Sequence, residues 1–264
     1  MNAVQNQSTN QLINYILHLA DSALILAQRN SEWCAHGPIL EQDIAITNIS
    51  LDLLGQSRNF YQYAAELINN TGNNQMDIVT EDSLAHLRGE REFKNLLLTE
   101  LPNGDWAQTV LKQFLFSVYQ YLLFEQLGKS NDEQLAAIAK KSIKETTYHI
   151  KWSSDWVIRL GDGTDESHAR MNKAIEALWE YTGELFVAAD YETACANNGT
   201  GTDPSLFQQQ WLQQVKDVFE EATLSMPSER YMQTGGKQGA HTEYLGYILA
   251  EMQSLQRTYP GAEW

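Results

Sequence analysis

The chain has 264 residues, 43% of them hydrophobic and 10% aromatic, which is enough apolar mass for a substantial core and excludes global disorder. Thirty-four acids against eighteen bases leave a formal charge of −16, which repels phosphates at long range and argues against nucleic-acid or anionic-membrane binding. No run approaches the ~20 apolar residues of a membrane span, and the polar first ten residues carry no secretory pattern. Cys34 and Cys195 stand apart, in no metal or redox spacing, so a reduced, cytoplasmic setting is expected.

Taken in chain order, the apolar spacing is mostly three and four, and strand alternation is nowhere sustained. It predicts helices over 11–30, 39–69, 83–97, 105–128, 132–160, 167–189, 204–225 and 241–259. Residues 1–10 are expected as a flexible tail. In the second helix Ile46, Ile49, Leu53, Phe60, Ala64 and Leu67 mark one face. In the fifth, Leu135, Ile138, Ser142, Glu145, His149, Trp152 and Trp156 do the same. Asp105 and Asn131 stand where helix caps belong, and Pro204 follows Asp203 as a first-turn proline follows its cap. Stops fall at Thr71-Gly72-Asn73, Gly128-Lys129-Ser130 and Gly161-Asp162-Gly163. The stretches 70–82, 190–203 and 226–240 are polar and rich in Gly and Asn, too short for interdomain linkers. The expectation is all-α: one domain over 1–264, a long-helix bundle of two antiparallel hairpins with further helices towards the C-terminus.

Such a bundle raises the question of a di-iron carboxylate site. That site takes a Glu from each of two helices and Glu-x-x-His from each of the other two, so that anionic oxygens converge on two metals. No Glu in this chain has a His three residues later. The spacing does occur in Asp165 and His168, which sit in a Gly/Asp turn and read as a cap or solvated surface. At spacing four come Glu32 with His36, Asp82 with His86, and Glu145 with His149. The first lies at a helix end and the second suits a helix dipole. The third reads more simply as a Glu–His pair inside a packed face than as metal ligands. Walker, nucleophile-elbow and dinucleotide motifs are absent. Gly235-Gly236-Lys237-Gln238-Gly239 has no strand before it and reads as a close-packed turn rather than an anion cradle. The tryptophans at 152, 156, 179 and 211 fall at helical spacing and read as core or interface.

Four stretches carry a resemblance. They are SEWCAHGPILEQDIAITNISLDLLGQSRNFYQYAAEL (31–67), FKNLLLTELPNGDW (93–106), KETTYHIKWSSDW (144–156) and TGGKQGAHTEYLGYILAEMQSLQRTYPGAEW (234–264). The most specific elements are Gly-Gly-x-x-Gly-x-His-Thr-Glu and the terminal Pro-Gly-x-x-Trp. From about Leu12 to Trp264 the chain resembles the C subunits of bacterial phenylacetyl-CoA epoxidases, the non-catalytic ferritin-like members of those complexes.

The resemblance implies a ferritin-like bundle related to the catalytic member of the same complex, whose di-iron centre activates O₂ and epoxidises the ring of phenylacetyl-CoA. It implies that this chain is non-catalytic, pairs with the catalytic bundle and maintains it, and holds no cofactor of its own. A small bridging subunit and a flavin and iron–sulfur reductase drawing on NADPH would complete the complex. Set against an active relative, the two Glu-x-x-His slots fall at 53–56 and 146–149, so the ligand positions read Leu53, Gln56, Thr146 and His149, with Glu145 beside them. One imidazole cannot hold two irons. Because a half-filled polar core is costly, a satisfied polar cluster is expected around His149 rather than a cavity.

Aromatic residues of 39–69 and 105–128, Tyr61, Phe114, Tyr121 and Phe124 among them, are expected at the interface with the catalytic bundle. Arg88, Arg91, Lys94 and Asn95 concentrate donors on one short segment. Its plainer reading is a surface helix of alternating charge. The alternative puts Arg91, Phe93, Lys94 and Asn95 at the rim of the shared phenylacetyl-CoA pocket. Two further readings remain open here: a self-sufficient oxidase ligated by Glu145, His149, Asp52 and Asp21, and a free-standing helical acyl-CoA-binding module.

Overall fold

The computed structural model describes residues 3–71, 78–260 and 262. Within them the chain is helical and contains no strand. Four long helices dominate: α1 (Ala3–Ser31), α2 (Leu40–Asn70), α5 (Trp106–Leu127) and α6 (Glu133–Gly161). Between the two pairs lie the short α3 (Glu81–His86) and α4 (Leu97–Glu100). After them come α7 (Asp165–Leu178), α8 (Asp190–Asn198), α9 (Gln208–Glu221), α10 (Glu243–Met252) and α11 (Ser254–Thr258).

The long helices form two hairpins, α1 on α2 and α5 on α6, and the hairpins pack on each other as in a ferritin-like bundle. Side-chain bonds set the register. Gln42 accepts from Trp152 (3.0 Å) and Trp156 (2.7 Å), Asp52 meets His149, and Gln56 meets Glu145. Numbers rise along α2 as they fall along α6, so these helices run antiparallel. Across the other pair of faces Asn30 donates to Gln113 (2.6 Å), which donates to Ser117 (2.8 Å). One hydrophobic cluster runs from Ile13 to Leu249.

Local chemistry accounts for the boundaries. Asp105 caps α5 by accepting from the Gln108 amide at 3.0 Å. For α6 the cap is Asp132, one residue past the expected Asn131; it accepts from the Leu135 amide at 2.8 Å and from the Tyr63 hydroxyl at 2.5 Å. Asp203 caps the 3₁₀ turn that Pro204 opens. α5 is buried on nearly every side, because α7 and α9 cover what α1 and α6 leave open. The Trp211 indole, for one, donates to the Leu115 carbonyl at 3.0 Å. Trp106 stacks edge-on against Trp33, Trp152 and Trp156 at 5.1–5.8 Å, so those tryptophans are core rather than cofactor residues.

Several boundaries differ from expectation. Residues 3–10, expected as tail, form the first turns of α1. The single helix expected over 83–97 is instead α3, a 3₁₀ turn at 90–92, an extended run and α4. Phe93, Leu96, Leu97 and Leu98 are all buried there, and their spacing imitates a helical face. The helix expected over 167–189 ends at Leu178 and continues as two 3₁₀ turns. α8 forms inside the supposed loop 190–203, with the Glu192 carboxylate accepting from the Ala189 amide at 2.8 Å. Gly72 and Asn73, expected in a helix stop, and Gly261, Glu263 and Trp264 of the terminal motif lie outside the described residues.

Candidate functional site

At the positions that the resemblance aligns with a di-iron ligand set, α2 and α6 meet in a ladder of two rungs. His149 Nε2 lies 3.1 Å from Asp52 Oδ2. One turn along, Gln56 Nε2 donates to Glu145 Oε2 at 2.9 Å. Spacing of four on both antiparallel helices puts each pair in line. Leu53 and Thr146, the other two slot positions, are fully buried. The Thr146 hydroxyl donates to its own helix at Ser142 (2.9 Å), and Ser153 does the same to His149 (2.6 Å). These hydroxyls satisfy themselves on the backbone and offer nothing anionic to the interior.

The donor set does not fit two metal ions. It holds one imidazole, the half-exposed carboxylates of Asp52 and Glu145, an amide and an aliphatic side chain. No three His, Cys, Asp or Glu side chains converge as a metal-binding group among the described residues. The alternative ligand set also comes apart. Asp21 is buried and accepts from Tyr61 (2.5 Å), the Lys94 amide (2.8 Å) and both terminal nitrogens of Arg88. Burial opposes the Arg88 charge, but the Asp21 carboxylate outweighs it and raises the Arg88 pKa above the ordinary guanidinium value.

The expectation of a satisfied cluster needs correcting. The cluster is only half satisfied, since His149 Nδ1 and Gln56 Oε1 are buried without a hydrogen-bond partner among the described residues. The α2–α6 spacing aligns one polar atom of each side chain across the seam and points the other into an apolar interior.

The candidate rim residues do not share a surface. Phe93 is fully buried beneath the Arg88 guanidinium, 4.3 Å from its ring centre. Asn95 is fully buried and donates to Glu100 Oε2 at 2.8 Å. Only Arg91 is exposed. Lys94 is half-buried over the Tyr191 ring, and burial lowers its pKa. The surface-helix reading holds only for the exposed 3₁₀ turn Glu90–Glu92; Phe93 to Leu96 run on from it as a largely buried extended strap to α4.

Three of the four interface candidates are corrected too. Tyr61, Phe114 and Phe124 face the chain's own core, and Tyr121 alone is partly exposed. For Phe114 and Phe124 the reason is that α5 is enclosed by its neighbours; Tyr61, on α2, is turned inward by its bonds to Asp21 and Arg88.

The most concentrated buried charge lies elsewhere, around the glycine-rich turn. His241 Nδ1 sits 2.9 Å from Glu100 Oε2, and its Nε2 sits 3.0 Å from the Phe93 carbonyl. Glu100 also accepts from the Thr242 amide (2.6 Å), while Glu184 accepts from the amides of Gly235 and Leu97, both at 2.8 Å. Lys237 is buried against Glu192 (2.9 Å) and the Val187 carbonyl (2.9 Å). Gly236 packs on the Asn95 carbonyl with no room for a Cβ, and Gly239 turns back in the left-handed region at φ 82°. The turn is thus close-packed, and its lysine neutralises a glutamate rather than a ligand. Glu100, Glu184 and Glu192 are not among the residues the sequence singles out, because they lie 45 to 141 positions from the turn they meet.

A family model described as "Phenylacetic acid catabolic protein" matches residues 1–264. The curated C subunit of the 1,2-phenylacetyl-CoA epoxidase of Escherichia coli (strain K12) is 48% identical over 255 residues, covering 97% of this chain and 100% of that one. A match over the whole length settles kinship: the chain belongs to the phenylacetic acid catabolic protein family.

Proposed function

We propose that this chain is the non-catalytic partner of a phenylacetyl-CoA epoxidase, pairing with a di-iron catalytic subunit and stabilising it during aerobic phenylacetate breakdown in the cytoplasm. The observation that carries the reading is the identity of the slot residues. Leu53, Gln56, Thr146 and His149 stand where an active bundle needs two Glu-x-x-His pairs, in a chain 48% identical to a protein named as the C subunit of that enzyme. In this reading the di-iron centre belongs to the catalytic subunit, and flavin and iron–sulfur groups belong to a reductase fed by NADPH. A small bridging subunit completes the assembly. Physically, a bundle that opens its core for two metals and a substrate loses packing there. A companion with a closed core, such as the wall of Trp33, Trp106, Trp152 and Trp156, supplies rigidity from outside.

The test is to express the catalytic subunit with and without this chain and follow O₂- and NADPH-dependent loss of phenylacetyl-CoA. The expected result is a stable heteromeric complex with turnover, and a catalytic subunit that aggregates or loses iron when alone. A catalytic subunit equally stable and active without this chain overturns the reading.

A further inference from the structure

From the outer face of the α2–α6 seam we infer the docking surface of this chain: a strip that takes a partner helix whose apolar stripe passes into carboxylates at one end. The inference rests on the proposed pairing with the catalytic subunit and names the face that serves it.

The two-rung ladder fixes how both helices are rolled. Asp52 and Gln56 point at α6, while Glu145 and His149 point at α2. The faces turned away from the core are therefore determined. On α2 that face carries Leu40, Ile44 and Leu51, at spacings i, i+4 and i+11, with exposures of 72%, 52% and 59%. The stripe is ~16 Å long at 1.5 Å per residue. On α6 the matching face carries Lys141, Lys144, Tyr148 and Lys151, at i, i+3, i+7 and i+10. Tyr148 is 46% exposed and packs its ring against the buried His149, 6.4 Å between centres. By the ladder's register Leu51 lies level with Tyr148 and Lys151, Leu40 and Ile44 run on towards the start of α2, and Lys144 and Lys141 run on the other way, level with Ser57 and Phe60, so an aliphatic segment passes into a basic one.

Two features set this strip apart. A helix face exposing three large aliphatics in line leaves apolar area that solvent does not favour. Continuing from its Leu51 end, Lys151, Lys144 and Lys141 form no ion pair among the described residues. In a chain of charge −16, that is a local reversal of sign. The nearby acids do not cancel it. Asp52 and Glu145 belong to the ladder, and Glu41 and Asp155 lie towards one end, where α2 begins and α6 finishes. The complement is a helix whose apolar stripe passes into Asp or Glu at one end. A second copy is the poorer occupant, because two chains of −16 repel before they meet. The strip also runs into the cleft between α2 and α3, where Leu54 and Arg58 line the wall and a partner side chain has room to insert.

The experiment measures the affinity of the purified catalytic subunit for this chain, by sedimentation or interferometry at several salt concentrations. Two variants are compared, Ile44→Glu with Leu51→Glu, and Lys141→Glu with Lys144→Glu and Lys151→Glu. Leu206→Glu, an equally exposed apolar site far along the chain, is the control. All substituted side chains are exposed, so melting curves are expected to match the wild type. Both variants should bind at least about tenfold more weakly, the lysine variant with a flatter salt dependence, while Leu206→Glu binds as the wild type. Wild-type binding that neither variant weakens overturns the surface and leaves the pairing intact. Loss of self-association by the chain alone, with the heteromeric affinity unchanged, assigns the face to a second copy and also overturns it. Absence of any wild-type binding overturns the pairing itself.

Discussion

His149 on α6 reaches across the seam to Asp52 on α2 with one ring nitrogen, at 3.1 Å, and leaves the other nitrogen buried without a partner among the described residues. The contact has an exposed end and a buried end, since the Asp52 side chain is 37% exposed while the imidazole is enclosed. Losing the pair therefore costs little on the aspartate side, because water replaces the imidazole. It costs nothing at the nitrogen that has no partner. His149→Leu should melt within a few degrees of the wild type, whereas His149→Ala should lose about 2–4 kcal/mol through the cavity it leaves. Urea unfolding of both variants checks this, and a large loss in His149→Leu would mean that the polar contact matters more than the packing.

Asp21 is the opposite case. It is enclosed, and every oxygen is used by Arg88, Tyr61 or the Lys94 amide. Asp21→Ala strands the buried Arg88 guanidinium and should cost about 3–5 kcal/mol. Tyr61→Phe removes one neutral donor and should cost about 1 kcal/mol. Denaturant midpoints of the two variants should therefore separate clearly, and equal midpoints would contradict this account of the knot.

His241 makes stability depend on pH. Burial pulls its pKa down, but the hydrogen bond and charge of Glu100, with the Phe93 carbonyl, outweigh burial and raise it above the ordinary value. With acceptors at both ring nitrogens, the imidazolium is the form that fits. A raised folded-state pKa gives stabilisation that is complete below the ordinary histidine value, about 6.5, and is lost as pH rises through the folded value. The stability of wild type relative to His241→Gln should therefore be greatest near pH 6 and shrink on the alkaline side. A difference that grows with pH would reverse the assignment.

Lys112 works in the other direction. Burial first, then the nearby Arg29, lower its pKa to about 7, while its ammonium donates to the Leu101 carbonyl at 2.6 Å and to Asn103 at 3.1 Å. Below pH 7 the buried charge carries its full cost. From there to the ordinary lysine value, about 10.4, the unfolded chain holds the extra proton, so this group's contribution to stability rises with pH. Lys112→Met should flatten that rise. Because it opposes the His241 trend, only the difference between each variant and the wild type separates the two.

The sequence was legible wherever one helix face decides burial. α2 and α6 alternate buried and exposed positions at 3.6-residue spacing, so the hairpins could be read directly. The segment 83–100 was not, because Phe93, Leu96, Leu97 and Leu98 are buried by packing against other elements and not by their own periodicity. The aromatics of α5 were misplaced because a helix that is apolar all round is enclosed. That signal stands in Phe114, Leu115, Phe116, Val118 and Tyr119 taken together. The charged knot at Glu100, Glu192, Lys237 and His241 joins residues up to 141 positions apart, and no local pattern announces such pairs.

The deciding measurement is the iron content per chain of this protein purified alone, under conditions that load the catalytic subunit fully. A bundle whose slots read Leu53, Gln56, Thr146 and His149 should retain essentially no iron. About two irons per chain, the content of a working di-iron bundle, would contradict the account and return Asp52, Glu145 and His149 to an active centre.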